Sequence, residues 1–303
     1  MRAVYLFQDQ TQTHANSARS KLVQDQNSTV SLLATIPAVS EPPESSAAER
    51  AKEVDVYRYY NIGSLTSLHC GSNPGMVGEL NYYGYLKTPD VHIEALQQLL
   101  DALKPSAVTD LDISGIGIGA TGAGRVADYV RDAKASPVEI VLDECPLTGA
   151  TKRYSDSAAF DENIDKEMDG FIALCTALGN VKKISLSKCG LGPASMGELA
   201  KALSDANGSV TTLVLDEGEL SGTKINFKGA SYEQIEQLDA DLSGFEALCL
   251  ALASSQIITL SLKKCYLGPQ AIALLADATS KMASIASLKI SGALTPVTRI
   301  YYY

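Results

Sequence analysis

Gly117, Gly119 and Gly122, within GIGIGATGAG (Gly115–Gly124), have the spacing G-x-G-x-x-G. They follow a predicted strand and open a predicted helix, the setting in which backbone amides at a helix N-terminus cradle a pyrophosphate. Other residues able to do chemistry are sparse. The histidines are His14, His69 and His92, and no GxSxG, HExxH or Cys–His arrangement occurs. Six cysteines (Cys70, Cys145, Cys175, Cys189, Cys249 and Cys265) do not form the CxxC pairs of a typical zinc site. The acidic stretch Ser155–Asp169 lacks the spacing and glycine of an EF-hand. The expectation is no catalytic centre, no cofactor and no metal. A nucleotide-binding protein or enzyme using the Gly117–Gly122 turn is the alternative.

The elements that must position these residues repeat along the chain. Phe171–Pro193 and Phe245–Pro269 align with each other, and each reads as a helix, a short strand and a Gly-Pro turn. The strand pattern LxxLxLxx(N/C)xL is met by Val181, Ile184, Leu186, Cys189 and Leu191, and again by Ile257, Leu260, Leu262, Cys265 and Leu267. Further units are carried by Leu65–Asn73, Val108–Ile118, Ile140–Leu147 and Val210–Leu220, with a partial one at Ile285–Ile290. The Asn/Cys positions are 73, 116, 145, 189, 218, 265 and 293, so long spacings (43, 44, 47) alternate with short ones (29, 29, 28). Cys145, Cys189 and Cys265 share this position, and Cys175 and Cys249 share a helix position. A residue type that recurs with the repeat is read as packing, here as reduced, buried thiols.

The pattern resembles the ribonuclease-inhibitor-like leucine-rich-repeat proteins over roughly residues 62 to 292. That resemblance implies an α/β solenoid (horseshoe) with a parallel sheet on the concave face and helices on the convex face. Domain organisation is then an N-terminal arm over 1–53 and a repeat domain of about seven repeats over 54–303. Helices are predicted at Val91–Leu103, Ala120–Asp132, Met168–Leu178, Pro193–Asp205, Leu242–Ala253 and Pro269–Lys281. The extra residues after Asn73, Leu147 and Leu220 predict loops or small hairpins projecting from one face.

Charges cluster just before the Asn/Cys positions: Asp143–Glu144, Ser187–Lys188, Asp216–Glu217 and Lys263–Lys264. Acidic and basic positions alternate between strands spaced ~4.8 Å apart, so they should meet as cross-strand neighbours. Two readings follow: a self-neutralising ladder, or a charged concave surface for a protein partner. His69, on the predicted first strand, should face the same surface. A protein-binding face would therefore comprise His69, Asp143, Glu144, Lys188, Asp216, Glu217, Lys263 and Lys264.

The net charge of −10 and pI of about 4.8 disfavour nucleic acid and anionic lipid. No apolar run approaches the ~20 residues of a membrane helix, and the start lacks a secretory pattern. The cysteines point to a reducing, intracellular compartment, cytoplasm or cytoskeleton. The Ser/Thr/Gln/Ala-rich first 40 residues leave organelle import open, although Asp9 and Asp25 count against it. The sequons at Asn27 and Asn207 carry little weight for secretion. Val54–Tyr60 is expected as a capping strand, and Ile300–Tyr303 as an apolar end in need of cover. Together these give a non-catalytic protein–protein interaction module, a structural or scaffolding subunit of a larger complex. A transient inhibitor or regulator and a secreted receptor are the other readings.

Overall fold

Ile93, Leu96, Leu99, Leu100 and Leu103 recur at helical spacing, and the last four form the buried face of a helix over Ile93–Leu103. Units of this kind alternate with strands through the computed structural model, which describes residues 64–152, 160–204, 209–227 and 233–292. The arm over 1–53, Val54–Tyr60, Ile300–Tyr303, His14, Asn27, Asn207 and position 293 lie outside these residues.

In chain order the elements are β1 (Ser67–His69), β2 (Glu79–Leu80), β3 (Leu86–Thr88), α1 (Ile93–Leu103), β4 (Asp110–Asp112), α2 (Ala120–Asp132), β5 (Glu139–Val141) and α3 (Asp169–Ala177). They continue with β6 (Lys183–Ser185), α4 (Pro193–Ser204), β7 (Thr212–Val214), β8 (Lys224–Phe227), β9 (Glu233–Gln237), α5 (Ser243–Ala253), β10 (Thr259–Lys263), α6 (Pro269–Lys281) and β11 (Ser287–Ser291). The protein is α/β. Its seven-stranded sheet runs β1-β4-β5-β6-β7-β10-β11, in chain order, and every neighbouring pair is parallel.

Register explains the template. Leu68, Leu111, Ile140, Ile184, Leu213, Leu260 and Leu288 form one continuous row across the sheet. All but the last are buried. The side chains on either side of each point to the other face. There the rows are Ser67, Asp110, Glu139, Lys183, Thr212, Thr259 and Ser287, and His69, Asp112, Val141, Ser185, Val214, Ser261 and Lys289. Successive helices pack on one another in chain order against the Leu/Ile face. All-parallel sheets are normally apolar on both faces and covered on both. This one is apolar on one face, and its second face is polar and carries none of the helices among the described residues.

The helix bounds differ from the sequence reading by one or two residues at several ends, and α3 closes in a 3-10 turn over Leu178–Asn180. Pro269 occupies the first turn of α6, where its missing N–H is harmless. The first and third insertions are antiparallel hairpins, β2–β3 and β8–β9, and the second holds a single antiparallel bridge, Thr151 with Glu162. They leave the C-terminal ends of β1, β5 and β7, every second strand of the sheet, and so share one edge.

Candidate functional site

Each strand of the sheet leaves through a residue with positive φ: Ser72, Gly115, Glu144, Lys188, Glu217, Lys264 and Gly292, at 56° to 68°. This left-handed residue stands immediately before each Asn/Cys position. It turns the chain outward so that its N–H donates to the carbonyl of the next strand's exit: Gly115 to Asp143 (2.7 Å), Glu144 to Ser187 (2.8 Å), Lys188 to Asp216 (2.9 Å) and Glu217 to Lys263 (2.8 Å). Side chains outside glycine adopt this conformation uncommonly. Its recurrence sets the charged residues in a second ladder beside the sheet.

The predicted charges meet in that ladder. Lys188 pairs with Glu144 at 2.9 Å, Lys264 with Glu217 at 3.2 Å, and Lys263 with Asp216 at 2.8 Å. On the open face Lys183 pairs with Glu139 at 2.8 Å. Asp143 and Asp216 do the same work at equivalent places. Asp143 accepts from the Ser185 hydroxyl and the Ser187 N–H, both 2.7 Å. Asp216 accepts from the Ser261 hydroxyl at 2.7 Å and the Lys263 N–H at 2.8 Å. Asp216 is nearly buried by these contacts. His69 stands apart, on β1, with its Nδ1 3.6 Å from Asp112. Asp112 takes the Ser114 hydroxyl at 2.7 Å, so that hydroxyl is not aimed at the imidazole. Among the described residues no cluster of His, Cys, Asp or Glu could hold a metal ion.

Burial alone would raise the Asp216 carboxyl, but the Lys263 ammonium, the Lys263 N–H and the Ser261 hydroxyl outweigh it and hold it below the usual carboxylate value. A depressed folded-state pKa stabilises the fold above the unfolded value of about 3.9, and that contribution disappears as pH falls through the folded value. Asp216→Asn is therefore expected to lower stability at neutral pH and to flatten its fall below about pH 4. Urea midpoints measured from pH 7 downward check this. A variant with an unchanged acid limb would show that Asp216 is not one of the groups responsible.

The Gly-rich turn is already occupied by protein. Asp90, at the foot of the β2–β3 hairpin, accepts from the N–H groups of Gly119 (2.8 Å) and Gly122 (3.0 Å). A Cβ on Gly117 would collide with the Gly78 backbone, and one on Gly119 with Pro89 and Asp90. The glycines thus admit the hairpin, and the amides a phosphate would use are taken by Asp90. The device recurs at two more helices. Asp165 accepts from Gly192, Ala194 and Ser195 N–H groups (3.2, 2.8 and 3.2 Å) and from the Ser195 hydroxyl. Asp239 accepts from Gly268, Gln270 and Ala271 N–H groups (2.8, 2.9 and 3.1 Å). Each aspartate follows an insertion and caps the helix one repeat further on. Sequence reasoning missed all three, although an Asp stands three or four residues before each of α1, α3 and α5.

The thiols at the Asn/Cys position are buried and serve the backbone. Cys145, Cys189 and Cys265 donate to the carbonyls of Ile113 (3.7 Å), Leu142 (3.2 Å) and Leu215 (3.1 Å) in the preceding repeat. Asn73, at the same position of the first unit, differs from them. It is exposed, because β1 begins the sheet and no earlier described turn offers it a carbonyl. All six cysteines are free, and burial pushes the Cys145 and Cys265 thiols up to about 12 and Cys70 to about 11. Thiolate is the reactive form. Native protein at pH 8 should therefore react with a disulfide reagent slowly at Cys70 first, at the five buried thiols only at its unfolding rate, and yield six thiols in denaturant. Fast native labelling of Cys145, Cys189 or Cys265 would contradict their place in the turns.

The first insertion, which the sequence marks only as a loop or small hairpin, brings tyrosines together. The β2–β3 tip carries Tyr82, Tyr83 and Tyr85, with Tyr82 95% exposed. Asn81 fixes the tip: its side-chain oxygen accepts from the Tyr83 and Tyr85 N–H groups at 2.9 and 3.0 Å. The Tyr82 and Tyr83 rings meet edge to face at 5.3 Å.

No protein-family model matches the chain, and no curated protein matches it either. Among the described residues, no helix is long and apolar enough to cross a membrane.

Proposed function

We propose that this chain is a leucine-rich-repeat solenoid of the ribonuclease-inhibitor-like type and acts as a non-catalytic protein-interaction module, a scaffolding subunit of a larger assembly. Strands sit ~4.8 Å apart, whereas packed helices need about 8–10 Å. A layer of helices running in step with a layer of strands is therefore longer, and the sheet takes the concave side. The observation that carries the functional reading is the polar second face of the all-parallel sheet, which none of the described helices covers. Lys183 with Glu139 and Lys263 with Asp216 pair across it, which disfavours a groove of one sign. The candidate surface remains His69, Asp143, Glu144, Lys188, Asp216, Glu217, Lys263 and Lys264, extended by the insertion edge.

The test is the native mass of the protein drawn from its source under mild conditions, by light scattering after size separation. The expected particle is well above the 32.1 kDa of the chain, contains another protein in fixed stoichiometry and holds no nucleotide. A particle containing only this chain would remove the assembly reading. Bound nucleotide lost on Gly119→Val would favour the Gly117–Gly122 alternative instead.

A further inference from the structure

The tyrosine tip borders a groove of about 230 Å³ between the first and second insertions, lined by Ser72, Pro74, Tyr85, Leu86, Lys152 and Phe160. Pro74, Tyr85, Leu86 and Phe160 give it aromatic and apolar walls beside the polar Ser72, Glu144 and Lys152. Two charged residues stand on its lining, Glu144 and Lys152. Glu144 is engaged by Lys188 at 2.9 Å. That leaves the half-buried Lys152, whose ammonium lies 5.1 Å from the centre of the Phe160 ring. Lys152 feels both Glu144 and Lys188, and burial holds its pKa below the ordinary lysine value. Lys152 is thus an ammonium with no carboxylate of its own among the described residues, on a chain whose net charge is −10.

We propose that this groove and the tyrosine tip dock an extended, proline-bearing acidic segment of a protein partner, with its rings against Tyr82, Tyr83 and Tyr85 and a carboxylate on Lys152. The inference rests on the interaction-module reading and names the site within it. Charge complementarity selects the occupant: a carboxylate supplies the anion that Lys152 lacks among the described residues. Grooves bordered by aromatic rings, here Tyr85 and Phe160, take proline-rich segments well, because the extended helix of such a segment is formed before binding and loses little entropy. The tip is likewise held in place by Asn81, so little ordering is left to the binding step. Exposed tyrosines on a fixed turn offer large contact area with few free torsions.

Fluorescence anisotropy of the full chain tests this, using a labelled peptide of repeating Pro-Pro-Glu and its Pro-Pro-Lys counterpart. The acidic peptide should bind in preference, Lys152→Glu should weaken it at least about tenfold, and the double variant Tyr82→Ser, Tyr83→Ser should do the same. Unchanged thermal melts confirm that both variants fold. Equal binding of the two peptides, no binding, or indifference to Lys152→Glu would overturn the proposal. If the peptides fail while the native assembly survives both variants, the groove is wrong and the interaction reading stands. If the acidic peptide binds but the native particle holds this chain alone, the groove stands and the assembly reading falls.

Discussion

Gly244→Ala is expected to destabilise the fold by about 3 kcal/mol, the upper range for overpacking a tight contact. Gly244 lies in the first turn of α5, against the first turn of α4. A Cβ there would fall on the carbonyl oxygen of Pro193 and within 3.1 Å of the Gly197 nitrogen. Backbone cannot rotate away as a side chain can. Gly170→Ala repeats the experiment one repeat pair earlier, where the Cβ would fall on the carbonyl of Ala120 and 3.0 Å from the Gly124 nitrogen. Their helical partners should behave in the opposite way. A Cβ on Gly197 meets nothing within 4 Å, and one on Gly124 only the Gly170 Cα at 3.7 Å. Alanine at either is expected to stabilise by about 0.5–1 kcal/mol, because glycine inside a helix carries excess unfolded-state entropy. Urea unfolding of the four variants decides the matter. Gly244→Ala and Gly197→Ala moving stability alike would refute the close approach of these helices.

Asp239→Ala should cost about 2–3 kcal/mol, since it strips a charged acceptor from three helix N–H groups at once. Asp239 also has φ of 51°, where an alanine is strained and a glycine is not. The series should therefore rank Asp239→Asn mildest, Asp239→Gly intermediate and Asp239→Ala worst. Asn keeps one acceptor oxygen and tolerates the left-handed conformation. Asp165 should follow the same order, with a larger loss because the Ser195 hydroxyl also goes unpaired. Denaturant midpoints give the ranking. If Asp239→Ala changes stability no more than Asp128→Ala on the exposed side of α2, the capping role is wrong.

The sheet was legible because its constraint is local: a buried side chain on a short strand must be Leu, Ile or Val, and the repeat prints the same residues again. Leu111, Ile184 and Leu260 could be aligned without knowing the fold. Cysteine at the turn was legible for the same reason. The aspartate caps were not, because each acts on a helix of the next repeat, and single residues such as Asp90 or Asp165 carry no period of their own until the helix ends are known. Gly117 and Gly119 look like a phosphate loop because a chain approaching closely needs glycine whether it belongs to a nucleotide or to a hairpin. The left-handed turns at Glu144, Lys188, Glu217 and Lys264 were hidden because charged residues give no hint of positive φ. The first insertion shows in the sequence as extra length, but the exposure of its tyrosines depends on the turn that Asn81 builds.

Lysine footprinting of the native assembly tests the central claim most directly. Acetylation rates in the isolated chain and in the assembly are compared residue by residue. The account predicts protection of Lys183, Lys263 and Lys289 on the open sheet face, with Lys264 and Lys152 along the insertion edge, while Lys201 on α4 and Lys281 on α6 react as before. Protection confined to Lys201 and Lys281, with the sheet-face lysines unchanged, would contradict it.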